Sequence, residues 1–243
     1  MTDTRVFCAV DTTDLDAALA LAGALDDLPL GLKLGLEFFV AQGPAGIRAV
    51  RDAAGAKREL FLDLKLHDIP NTVAGAVRAA VPLGVDYITL HTGGGVDMMR
   101  AAQDAAREEA VKHAISAPKL LGVTVLTSLS DDDLEKVGQI GPALEQVERL
   151  ATLAEMAGLA GIVCSPREIA HLRKMVRPDF MLVVPGIRPA GAAAGDQKRV
   201  MTPEEAATRG ADRLVIGRPI TQAENPAAAA RAILDGIATA QAA

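Results

Sequence analysis

The first regular run of the chain is Val6-Phe7-Cys8-Ala9-Val10, and it is left through Asp11-Thr12-Thr13. Apolar residues in unbroken succession read as a strand buried on both faces. The turn that follows holds no glycine. A doubly wound open sheet would carry a glycine-rich fingerprint at its first strand-to-helix turn. The lack of one turns the reading towards the other architecture of alternating strands and helices, a closed (β/α)₈ barrel.

The rest of the chain repeats the pattern. Similar runs lie at Gly31–Leu34, Leu60–Leu64, Tyr87–Leu90, Leu120–Leu126, Gly161–Cys164, Met181–Val184 and Leu214–Ile216. Helical patterns fall between them, at Asp14–Leu25 with Thr13 as the expected N-cap, and at Asn71–Val81, Val96–Ala114, Glu145–Ala157, Pro166–Lys174, Pro203–Arg209 and Pro226–Ala238. Eight strands with intervening helices suit an α/β TIM barrel, whereas an open sheet more often stops at five or six. No linker, charge block or low-complexity tract interrupts residues 1–243, so a single barrel domain is expected.

Composition narrows the function. Acidic residues outnumber basic ones by 31 to 25, aromatics make up 2% and tryptophan is absent, which argues against a nucleic-acid partner. No apolar run reaches the roughly 18 residues of a membrane span. The short run after Met1 lacks the length and flanks of a signal peptide, so a cytoplasmic protein is expected. Cys8 and Cys164 sit inside apolar runs and read as buried core residues, with no spacing that suggests zinc.

A barrel carries its active site at the C-terminal ends of its strands. Charges gather at those ends. Asp11 follows strand one, Lys33 lies in strand two, and strand three reads Leu60-Phe61-Leu62-Asp63-Leu64-Lys65-Leu66-His67-Asp68-Ile69-Pro70-Asn71-Thr72. Period-two alternation puts Asp63 and Lys65 on one face, which in a barrel is the interior. Charges are rarely buried unless paired. A lysine between carboxylates stays an ammonium and can give a proton to a developing carbanion. No Ser-His-Asp arrangement or nucleophile elbow competes with that chemistry.

The last two strands run into Pro185-Gly186-Ile187-Arg188 and Ile216-Gly217-Arg218. These loops form the usual phosphate site of the fold, where glycine admits backbone N–H groups and arginine offers a planar fork. The small-residue stretch Ala190–Gln197 between them suits a mobile lid.

Together these residues resemble the orotidine 5′-phosphate decarboxylase family. The specific likeness is Asp63-Leu-Lys65-Leu-His-Asp68-Ile-Pro-Asn-Thr72. It is joined in order by Ala-Val-Asp11, Leu-Lys33-Leu-Gly, Thr-Val-Leu-Thr127-Ser128, Pro-Gly-Ile-Arg188, Gln197 and Ile-Gly217-Arg218. The resemblance implies decarboxylation of orotidine 5′-phosphate to UMP by a homodimer, without metal or organic cofactor. Lys65 would protonate C6, and Asp63 would lie beside the departing carboxylate. Asp68 and Thr72 would reach in from the neighbouring subunit. Asp11 and Lys33 would meet the ribose hydroxyls, with Lys33 also tied to the charge array. Ser128 would bond the pyrimidine beside Thr127, while Arg188, Gln197, Gly217 and Arg218 would close around the phosphate and the lid side of the base.

Other readings share the scaffold. Magnesium-dependent sugar-phosphate decarboxylases and aldolases of the same superfamily typically carry a glutamate where this chain has Lys33, and a lysine repels a divalent ion. Ribulose-phosphate epimerases need metal-binding histidines, and here His91 alone ends a strand while His67 neighbours the motif. His113 and His171 fall in helical patterns. A non-catalytic nucleotide-binding barrel is the reading from a different class.

Overall fold

The computed structural model describes residues 5–189 and 201–242. Eight strands, β1 (Val6–Val10), β2 (Gly31–Gly35), β3 (Leu60–Leu66), β4 (Tyr87–His91), β5 (Lys119–Val123), β6 (Gly161–Val163), β7 (Met181–Val184) and β8 (Arg213–Ile216), pair in parallel and close as β1 to β8 in sequence order. The fold is a (β/α)₈ barrel. Among the described residues ten α-helices surround it: α1 (Leu15–Ala24), α2 (Leu36–Ala54), α3 (Pro70–Ala80), α4 (Gly95–His113), α5 (Asp131–Lys136), α6 (Ala143–Met156), α7 (Ile169–Met175), α8 (Pro203–Thr208), α9 (Arg218–Thr221) and α10 (Pro226–Ala242).

The register divides the strands by parity. Phe7 stands opposite Gly31, Lys33 opposite Phe61, Phe61 opposite Tyr87, Leu121 opposite Gly161 and Val183 opposite Arg213. Odd-numbered residues face odd-numbered ones around the whole barrel. Even positions such as Cys8, Leu32, Leu62, Ile88 and Ile162 join the large core between strands and helices. Odd positions Phe7, Ala9, Phe61, Tyr87, Leu121, Val183 and Val215 form a separate cluster inside the barrel. Side chains thus fill the interior in layers, as the fold requires.

The lower layer is aromatic. Phe7 meets Phe61 edge-on at 5.4 Å between ring centroids and Tyr87 at 5.3 Å. Room for the Phe7 ring comes from the opposite residue: a Cβ on Gly31 would lie 2.3 Å from Phe7 Cε1 and 2.9 Å from the Glu59 carbonyl.

Several expected boundaries move. The α1 N-cap is Asp14 rather than Thr13, its Oδ1 accepting from Asp16 N at 2.8 Å and Ala17 N at 3.2 Å. A carboxylate also complements the positive end of a helix. The barrel reading implies a helix between β2 and β3 but the sequence pattern assigns no segment to it; α2 fills that place with 19 residues. Gly43-Pro44 breaks its periodicity, and Gly43 takes φ 59° at a kink that joins two helical segments. Strand five ends at Val123 instead of Leu126. Beyond it the Thr124 hydroxyl donates to the Val163 carbonyl at 2.9 Å. The helix expected over Pro166–Lys174 begins as a 3₁₀ turn at Pro166–Glu168.

Truncating Phe7 to alanine removes the ring that touches both other aromatics. Phe7→Ala is expected to lower unfolding free energy by about 3–5 kcal/mol, read from urea denaturation followed by circular dichroism.

Candidate active site

The interior positions at the C-terminal ends of the strands, with the loops beyond them, enclose a cavity of about 300 Å³. Asp11, Lys33, Asp63 and Lys65 line one side of it. Val123, Val125, Leu126, Val163 and Cys164 form an apolar wall, and Pro185, Gly186, Arg188, Gly217 and Arg218 close the third side.

The charged groups form an alternating line. Lys33 Nζ lies 3.8 Å from Asp11 Oδ1 and 3.5 Å from Asp63 Oδ2. Lys65 Nζ donates to both oxygens of Asp63, at 3.0 and 2.9 Å. The Asp63 side chain is 13% exposed and that of Lys33 10%, so the centre of the cluster is largely out of water, while Lys65 at 31% and Asp11 at 60% reach the solvent. Burial pushes the Asp63 carboxyl upward, the largest single influence on it. Lys33, Lys65 and the hydrogen bonds from Lys65 and Thr89 together outweigh burial and hold it below the usual carboxylate value. The carboxylate is therefore ionised, with an ammonium group on either side.

Strand three reaches this geometry by an irregular path. Leu62 pairs with Ile88 but Leu66 pairs with Leu90, so β3 holds two more residues than β4 across the same interval. An insertion of two keeps parity, which is why Asp63 and Lys65 share a face as alternation predicts. The distortion falls on Lys65 at φ 50°. A left-handed backbone costs a non-glycine residue about 1–3 kcal/mol and tends to occur where function demands it.

At the other side of the cavity the chain turns at Gly186, whose φ of 78° favours glycine. Arg188 follows, buried, with Nη1 donating to the Ile187 carbonyl at 2.8 Å and its backbone N–H to Met201 at 3.0 Å. Gly217 caps α9, which Arg218 begins. A Cβ on Gly217 would point at Ala9 Cβ (3.4 Å) and Asp11 Oδ2 (3.5 Å), so the glycine keeps this corner open.

The structure thus brings together Asp11, Lys33, Asp63, Lys65, Thr127, Arg188, Gly217 and Arg218. Ser128, next to Thr127, is exposed and outside the lining, as are Asp68 and Thr72. Asp68 accepts from the Ile69 N–H at 2.6 Å, and Thr72 lies in the first turn of α3. Gln197 and the Ala190–Gln197 stretch lie outside the described residues.

Two features escaped the sequence reading. Thr89, a buried hydroxyl in the middle of β4, donates to Asp63 Oδ1 at 2.8 Å. The available signal was a polar residue within the apolar run Tyr87–Leu90. His91 is not isolated: its ring centroid lies 5.3 Å from that of His67, tilted by 39°. Burial, then His67 and Lys65, lower the His91 pKa against the pull of Asp63. Uncharged imidazole is thus favoured within the field of Lys65.

Comparison with known proteins points to one family. The model of the orotidine 5′-phosphate decarboxylase / HUMPS family matches residues 4–233. An orotidine 5′-phosphate decarboxylase of Paramagnetospirillum magneticum is 56% identical over 225 residues, covering 93% of this chain and 94% of that one. One of Rhodospirillum rubrum is 54% identical over 233 residues, covering 96% and 94%. The crystal structure of orotidine 5′-phosphate decarboxylase from Lactobacillus acidophilus superposes with a TM-score of 0.84 at 36% identity, covering 96% of this chain and 99% of the other.

The depressed Asp63 carboxyl has a consequence for acid stability. A group with a lowered folded-state pKa contributes stability that is present above its ordinary value of 3.8 and is lost as pH falls from there through the folded value. Asp63→Asn should therefore flatten the acid side of a plot of denaturation midpoint against pH below about pH 4. A limb as steep as that of the wild type would mean that other carboxylates govern acid unfolding.

Proposed function

We propose, for a chain that belongs to the orotidine 5′-phosphate decarboxylase / HUMPS family, that its barrel converts orotidine 5′-phosphate into UMP and carbon dioxide, the last step of pyrimidine nucleotide synthesis. The observation that carries this reading is the Asp63 carboxylate held between the ammonium groups of Lys33 and Lys65 beside the cavity. The other branch of the family fits less well. Lys33 Nζ, 3.5 Å from Asp63, brings positive charge to the place where a magnesium-dependent sugar-phosphate enzyme needs an oxygen ligand.

The pyrimidine carboxylate is placed beside Asp63, where like charge raises its energy before reaction. The bond from C6 to the carboxylate breaks, carbon dioxide departs, and the electron pair stays on C6. The ammonium groups stabilise that carbanion electrostatically. Lys65 then transfers a proton from Nζ to C6, giving UMP, and recovers a proton from water. Asp11 and Lys33 meet the ribose hydroxyls, while Thr127 and Ser128 meet the base. Arg188, Gln197, the Gly217 backbone and Arg218 hold the phosphate, whose binding energy, remote from the reacting carbon, supports catalysis.

The active form is a homodimer of single-domain barrels (residues 1–243), in which Asp68 and Thr72 serve the neighbouring site. Supporting this, Asp68 and Thr72 are exposed and Ile69 between them is 66% exposed at the start of α3. No helix among the described residues is long and apolar enough to cross a membrane, which is compatible with work in the cytoplasm.

With orotidine 5′-phosphate in excess chelator, the wild type should remove the orotate ultraviolet band. Lys65→Ala should do so slower by at least about 10²–10⁴-fold, the usual contribution of a positioned proton donor. Turnover that requires added magnesium, on sugar phosphates instead, would establish the other branch. Mixing Lys65→Ala with Asp68→Ala should restore activity that neither has alone, because one site of the mixed dimer receives both native residues. Mixed dimers as inactive as their parents would show that each subunit works by itself.

A further inference from the structure

We propose that Thr89 is a positioning residue that orients the Asp63–Lys65 pair through a directed hydrogen-bond relay, a role that rests on the decarboxylation reading. Thr89 is fully buried, 0% exposed, and pairs in register with Leu121 of β5. Its Oγ1 accepts the backbone N–H of Lys65 at 2.9 Å and donates to Asp63 Oδ1 at 2.8 Å. A hydroxyl has one proton to give, and an ionised carboxylate can only accept. The direction is therefore fixed, from the Lys65 amide through Thr89 to Asp63.

The relay stands in for strand pairing that β3 forgoes. Between Leu62 and Leu66 the ladder to β4 skips, and Lys65 adopts its left-handed backbone there. Its amide, displaced from the ladder, is satisfied by the threonine hydroxyl instead, as a buried N–H must be. One side chain thereby fixes both the backbone from which the Lys65 side chain departs and the oxygen that Lys65 Nζ contacts. Threonine suits this task because its branched side chain is stiff about χ1. Thr89 is not among the residues lining the cavity, so it acts through Asp63 and Lys65 and not on the substrate.

The test compares Thr89→Ala, Thr89→Val and Thr89→Ser over a range of pH with orotidine 5′-phosphate. Ala and Val should lower kcat by about 10- to 100-fold, the scale of a lost hydrogen bond to a charged group, with KM within about 3-fold of the wild type. Their acid limb should move to higher pH, because the carboxylate has lost a donor that favours its ionised form. Ser should restore both kcat and the limb. Ala and Ser both lack the methyl group and differ only in the hydroxyl, so that comparison holds even where the valine variant does not fold. Equal kcat in Ala and Ser, or a loss of activity with an unmoved acid limb, overturns the relay. Carbon-13 NMR titration of Asp63 separates this question from the activity itself. A higher Asp63 pKa in Ala than in Ser supports the relay even where the wild type does not turn over orotidine 5′-phosphate, an outcome that would overturn the decarboxylation reading alone. The same pKa in both overturns the relay.

Discussion

An ionised carboxylate kept almost out of water is the constraint from which the upper half of this barrel follows. Asp63 can remain charged there only because Lys33, Lys65 and Thr89 face it at hydrogen-bonding or ion-pairing distance. The dependence is mutual. Lys33 is as deeply placed and leans on Asp11 and Asp63 together. Removing one member of such a cluster leaves a charge buried without its counterpart, which costs far more than the intact cluster contributes. The group is accordingly built as a unit, and its members come from the C-terminal ends of three successive strands that parallel pairing sets side by side.

Parity is how the chain accomplishes that. Every interior side chain on the strands is odd-numbered, from Phe7 in the lower layer to Asp63 at the mouth. The one irregular strand inserts two residues, so the rule survives where the ladder fails. A single-residue bulge would have turned Lys65 towards the helices. The strain of its positive φ is then the local consequence of keeping both Asp63 and Lys65 inside.

Much of this was legible in the residues alone. Unbroken apolar runs marked the eight strands because strands covered by helices outside and filled inside have no polar face. The charges at their ends stood out for the opposite reason, being costly where they lie. Three kinds of feature were not legible. The α2 helix was hidden by Gly43-Pro44, which breaks the periodicity without breaking the element. The α1 cap shifted by one residue because Thr13 and Asp14 are both good caps, and only geometry chooses between them. Thr89 gave a faint signal, since its importance lies in two partners twenty-four and twenty-six residues away in sequence. A long-range hydrogen bond leaves no period to read.

The aromatic layer beneath the charges carries a further meaning. Phe7, Phe61 and Tyr87 are each 1% exposed and packed ring against ring, so the barrel is stoppered below the site. A vessel with one opening imposes a queue. In the proposed reaction the gas is freed beside Asp63, above this stopper, and leaves by the mouth through which the nucleotide entered. The same stopper keeps bulk solvent from reaching the charge cluster from behind.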